Sequence, residues 1–138
     1  MRRIHLAVTL AAAAVAVGGC TAQPSSSSAG DFKGDEADVA QVVDDISSAG
    51  QKGNADDICA KYVSKDLADS LKAGDADCTD ELQEAIQDVN DFELKVKDVT
   101  ISGDTARAEV EQGDDKPSTA TFELARDGKS WRVTSFGA

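Results

Sequence analysis

The sequence predicts an α+β domain: N-terminal helices packed on an antiparallel four-stranded sheet. Three observations carry the prediction. Apolar residues between Val39 and Val89 recur three and four positions apart, the period of a helix with one buried stripe. After Asn90 the period falls to two, as in a strand with one face inward. Turn signals then divide the alternating runs into a meander, and helices followed by a meander define the α+β class.

Taken in order, Val39, Val42, Val43 and Ile46 follow i, i+3, i+4, i+7 spacing with acidic residues opposite, so a first helix runs to Gly50–Gly53. Asn54 is placed to cap a second helix that turns Ile58, Cys59, Tyr62 and Val63 inward. Ser64 is placed to cap a short third one carrying Leu67 and Leu71 and stopped at Gly74. Thr79 opens the fourth, with Leu82, Ala85, Ile86 and Val89 on one stripe. Phe92, Leu94 and Val96 then alternate with Glu93, Lys95 and Lys97. Val99 and Ile101 continue on the opposite parity, which calls for a bulge near Lys97-Asp98. A turn at Ser102-Gly103-Asp104 leads to the alternating Ala106, Ala108 and Val110. A longer polar connection from Gln112 to Ser118 leads to Ala120, Phe122 and Leu124. Asp127-Gly128 is a hairpin signal, and Trp131, Val133 and Ser135 alternate in the last strand. The chain shows no internal repeat.

Ahead of this domain, residues 1–19 have the layout of an export signal: Arg2 and Arg3, an apolar stretch from Ile4 to Val17, then Gly18 and Gly19. The apolar stretch is shorter than the roughly 20 residues a membrane-spanning helix needs. Val17-Gly18-Gly19-Cys20 resembles the lipobox of bacterial lipoproteins, with Val in place of the commoner Leu. The resemblance implies cleavage before Cys20 and a diacylglycerol on its thiol, hence a lipid-anchored protein on the extracytoplasmic face of the cell membrane. Residues 20–36, rich in Ser, are then expected to form a disordered tether, and residues 37–138 the folded domain.

All 26 acidic residues follow Gly30, and 12 of the 14 basic ones follow Gly19, so a chain beginning at Cys20 carries a formal charge of −14. A nucleic-acid ligand requires clustered Lys and Arg to displace phosphate counterions, so DNA and RNA are excluded as expected partners. Anionic phospholipid headgroups should repel this domain as well. With Cys20 assigned to lipid, Cys59 and Cys78 remain as an even pair in an oxidising compartment, and a disulfide is expected between them. It would join the second helix to the entrance of the fourth. No metal site is expected, because the only His, His5, lies in the leader and no further Cys accompanies the pair. Asp75-Ala76-Asp77-Cys78-Thr79-Asp80 begins like a calcium loop but has Asp80 where that loop needs Gly and Ile86 where it needs Glu. Arg107, Arg126 and Arg132, rare positive charges among the acids, are expected in cross-strand pairs.

The order of elements, the segment VTISGDTARAEV from Val99 to Val110 and the closing RDGKSWRVTSF from Arg126 to Phe136 together resemble small secreted lipoproteins of the nuclear-transport-factor-2-like (SnoaL-like, cystatin-like) superfamily. That resemblance implies a curved antiparallel sheet wrapped around helices in a cone, with a pocket whose lining would draw on Tyr62, Phe92, Leu94, Phe122 and Trp131, although Tyr62 beside Ile58 and Trp131 in the last strand read better as core. The superfamily holds isomerases and dehydratases as well as binding modules, so the fold alone assigns no activity. Its enzymes place an Asp or His base in the cone. Here Asp91 is the acid nearest the first strand, and it reads better as part of a turn. The expected function is therefore non-catalytic and cofactor-free: a membrane-tethered module that contacts an envelope protein or holds a small apolar ligand. A small isomerase or dehydratase with an Asp base is the alternative.

Overall fold

A computed structural model describes residues 27–113 and 115–137. The expected signal segment, Cys20 and the first part of the tether lie outside the described residues. Helix α1 (Asp35–Gln51) opens with Asp35, Glu36 and Asp38 in its first turn, where carboxylates complement the positive end of the helix dipole. Val39, Ala40, Val43 and Ile46 form its buried stripe. Three short helices follow: α2 (Ala55–Lys61), α3 (Lys65–Ala73) and α4 (Cys78–Gln87). The chain then makes four strands, β1 (Leu94–Ser102), β2 (Thr105–Gln112), β3 (Ser118–Asp127) and β4 (Ser130–Phe136). They pair antiparallel in the order β1-β2-β3-β4, the meander the sequence predicts.

One face of the sheet is packed against α1, with α3 meeting it at β4, and alternation puts Ala106, Ala108, Val110, Phe122, Leu124 and Val133 on it. The bulge falls where the parity change placed it: the β1–β2 register shifts between Val96 and Asp98, which returns Val99 to the buried face. A second shift, which the sequence did not announce, occurs between Glu123 and Leu124. There Thr134 is the extra residue of β4, and its hydroxyl donates to the Glu123 carbonyl at 3.1 Å. Both hairpin turns place glycine first, Gly103 at φ +59° and Gly128 at φ +64°, a backbone that side chains rarely tolerate. The second turn is therefore centred on Gly128-Lys129, one residue beyond the expected Asp127-Gly128, and Asp127 and Ser130 pair across it.

Neither edge of the sheet is left bare along its length. At β4, Val63 forms a parallel bridge with Val133: Val133 N–H donates to Tyr62 O at 2.7 Å and Ser64 N–H to Val133 O at 2.8 Å. At β1, two serine hydroxyls accept in place of a strand, Ser47 from Leu94 N–H at 3.0 Å and Ser28 from Val96 N–H at 2.9 Å. Ser28 belongs to the segment expected as disordered tether. From Ser27 onward that segment is docked instead, with a 3-10 turn at Ala29–Asp31. Polar bonding secures it beside the packing of Ala29 and Phe32 against the core: the Asp44 carboxylate on α1 accepts from Ser27 Oγ (3.0 Å), Ser28 N–H (3.0 Å) and Ala29 N–H (2.9 Å). Residues 27–36, expected in the tether, are therefore packed with the domain rather than apart from it.

Several local expectations need correction. Asn54 occupies the N-cap of α2, but its side chain makes no capping bond. Ser64 does cap α3, accepting from Leu67 N–H at 3.2 Å. Helix α4 is capped by Asp77 rather than Thr79: the Asp77 carboxylate accepts from Thr79 N–H at 2.9 Å, and the stronger acceptor two residues upstream wins the position. Val89, expected on the α4 stripe, lies beyond the helix and is exposed. Phe92 precedes β1 rather than opening it, and its ring lies over the backbone of α1 at Gly50.

Candidate functional site

The five side chains expected to line a cone do converge, but on the hydrophobic core. Leu94, Phe122 and Trp131 are buried within it, and Tyr62 and Phe92 pack against it from the side. Phe122 meets Phe136 edge to face, with ring centroids 5.1 Å apart. Trp131, only 2% exposed, is covered by Arg126, whose guanidinium carbon stands 4.4 Å from the ring centroid. The same guanidinium reaches Asp35 at the start of α1 (2.7 Å) and approaches Asp104 in the β1–β2 turn (3.7 Å). Arg126 thus ties a helix start, a hairpin turn and the core tryptophan together. The Trp131 indole N–H has no hydrogen-bond partner among the described residues.

Tyr62 ends α2 and meets Asp45 of α1, a contact that sequence spacing did not reveal. Burial, then the Asp45 charge and a hydrogen bond to that carboxylate, push the phenol above its usual 10.0. Asp45 also accepts from Gln41 Nε2 at 2.9 Å. Asp91 is exposed in the α4–β1 connection. Among the described residues no cluster of three or more His, Cys, Asp or Glu could hold a metal ion. None of their helices is long and apolar enough to cross a membrane.

The concave surface lies outside the core. A cleft of about 390 Å³ opens where α2, α3 and β4 meet, lined by Cys59, Val63, Ser64, Lys65, Lys72 and Arg132 among others. The Cys59–Cys78 disulfide expected from the cysteine count is present and borders this cleft through Cys59. Arg132 is built into the wall: Nη1 donates to the Ala60 and Val63 carbonyls at 3.2 and 3.3 Å, and Nε stands 2.8 Å from Asp127. A cation at the carboxyl end of α2 is where the helix dipole favours one. Lys65 pairs with Asp69 one turn along α3, which raises the affinity of the amine for its proton and lowers that of the carboxyl. The cleft is therefore charged and hydrogen-bonding but nearly balanced, which suits a polar protein surface better than a single anion. Of the three arginines, Arg107 pairs across strands with Glu123 at 2.8 Å and Arg132 with Asp127 of β3, whereas Arg126 turns to Asp35 and Asp104 instead.

No protein-family model matches the chain, and no curated protein or solved structure is significantly similar to it.

Proposed function

We propose that this chain is a lipoprotein anchored through Cys20 on the extracytoplasmic face of the cell membrane, and that its domain acts by contacting another envelope protein. We read the α+β arrangement as a variant of the nuclear-transport-factor-2-like fold, on the order of its elements and the hairpins quoted above. The observation carrying the functional reading is the placement of Leu94, Phe122 and Trp131: side chains that would greet an apolar ligand in an open cone are packed into the core. What the domain offers to its surroundings is outside, in the polar cleft bounded by α2, α3 and β4. Nearly balanced charge makes that cleft a rim-like protein contact rather than a small-molecule enclosure.

The test is made in the native cell envelope. A photo-crosslinking side chain at Lys72, on the cleft, should yield one defined protein adduct, and the same group at Arg107, on the outer face of the sheet, should not. Cys20→Ala should move the chain out of the membrane fraction and abolish the adduct. Native mass spectrometry showing a small molecule retained at stoichiometric amounts, with no adduct from Lys72, would replace this reading by ligand binding.

A further inference from the structure

The docking of residues 27–31 fixes where Ser27, seven steps from Cys20, sits on the domain. Asp44 grips Ser27, Ser28 and Ala29, and the buried Ser28 hydroxyl is bound to Val96 of β1, so Ser27 lies beside the outer edge of that strand. Seven residue steps separate Ser27 from Cys20. Whatever path those residues take, they span at most about 25 Å. A folded unit of this size has a radius of gyration of roughly 13 Å and is therefore about 34 Å across. Turning the domain over would lift Ser27 by about that width, farther than the linker reaches. A tether free as far as Glu36 would span nearly 60 Å and would allow any orientation.

Topology says which face is then turned outward. In the order β1-β2-β3-β4 three strand spacings, about 14 Å, separate the β1 edge from β4. The cleft of α2 and α3 lies on the β4 side. Charge acts in the same direction. Residues 64–91, spanning α3 and α4, hold nine acidic residues against two lysines, a net −7 that anionic headgroups repel. The concavity beside Ser27 is lined by Lys95 and Lys97 with Asp31 as its acid. These lysines stand 3.2 Å from Glu93 and 3.8 Å from Glu111, so that face is close to neutral rather than strongly acidic.

We infer that residues 27–31 form a strap that shortens the tether and orients the domain, with the β1 edge toward the lipid surface and the α2–α3 cleft away from it. The inference rests on the lipid anchor at Cys20 proposed above and adds a geometry to it. The processed, lipid-bearing protein is placed in nanodiscs of phosphatidylethanolamine and phosphatidylglycerol carrying a nitroxide on the headgroup, and relaxation of each backbone amide is read by nuclear magnetic resonance. Enhancement should be severalfold greater at Val96 and Lys97 than at Ser64 and Lys72. A flexible Gly-Ser insertion after Gln23, longer than the domain is wide, precedes the docked residues in the chain and should even out the profile. An even profile without the insertion, or a steep one that survives it, overturns the strap. Failure of the protein to enter nanodiscs at all overturns the anchor reading, and the orientation with it.

Discussion

Gly50 is in the last turn of α1, and a methyl group there would overlap the ring of Phe92. Helix propensity favours Gly50→Ala by about 1 kcal/mol. Overpacking opposes it by about 1–3 kcal/mol, so the variant should be less stable in urea unfolding. Phe92→Leu should relieve much of that loss, because the clash is with the ring and not with backbone. A Gly50→Ala protein as stable as the parent would show that the ring can move aside at no cost. Tyr62 provides a second measurement at this scale, since the chain has one tyrosine and its phenolate signal is unambiguous. Burial and Asp45 raise the folded-state value above 10.0. Proton binding is then tighter in the folded protein, so this contribution to stability is complete below pH 10 and lost as the pH climbs through the raised value. The phenolate absorbance should titrate above pH 10 in the folded protein, and Asp45→Asn should bring the midpoint down. A midpoint already at the free-tyrosine value would deny the Asp45 contact.

Among the elements, α3 and α4 are the least embedded. Helix α3 buries no residue completely and α4 buries only Cys78, while Leu67, Leu71, Leu82 and Ile86 are half covered. The disulfide across 19 residues is the covalent tie that holds this pair to α2. Closing a loop of that length stabilises a domain by about 3 kcal/mol in the chain-entropy account. Replacing Cys59 and Cys78 by Ser should therefore cost about that much, with the loss concentrated where burial is thin. Hydrogen exchange should speed up first in α3 and α4 while the amides of β2 and β3 stay protected. Equal loss across sheet and helices would mean that the pair is integral to the core. The same contrast explains which elements could be read from the chain. Val39, Val43 and Ile46, or Ala106, Ala108 and Val110, announce themselves because burial imposes a period on apolar residues. The Val96–Asp98 bulge left the same trace as a change of parity. Features settled by one polar bond leave no such trace. Asp77 rather than Thr79 caps α4, Thr134 is accommodated by the Glu123 carbonyl, and a serine-rich stretch is docked because Asp44 lies opposite it. The lining expected of Tyr62, Phe92, Leu94, Phe122 and Trp131 shows a related limit: apolar character marks a residue as inward but does not say whether the interior is open.

For the molecule as a whole, the dominant long-range force is its own charge. A domain about 34 Å across whose residues 27–138 hold 26 acidic and 12 basic side chains repels itself more than its ion pairs attract, because exposed pairs such as Arg107–Glu123 are worth only about 0–1 kcal/mol each. Salt shortens the screening length from roughly 30 Å at 0.01 M to roughly 8 Å at 0.15 M, and it weakens distant repulsion more than close contacts. The thermal midpoint should accordingly rise over that range. A falling midpoint would mean that close pairs such as Arg126–Asp35 outweigh the repulsion. A single charge reversal separates the two cases. Asp88 sits at the C-cap of α4, whose last turn holds no basic residue, so its carboxylate faces both the acidic surroundings and the negative end of the helix dipole. Asp88→Lys should add about 0.3–1 kcal/mol at low salt from the dipole alone, and less at high salt as screening removes it. If the gain is the same at both salt concentrations, local packing at the helix end rather than the field of the acidic domain is responsible.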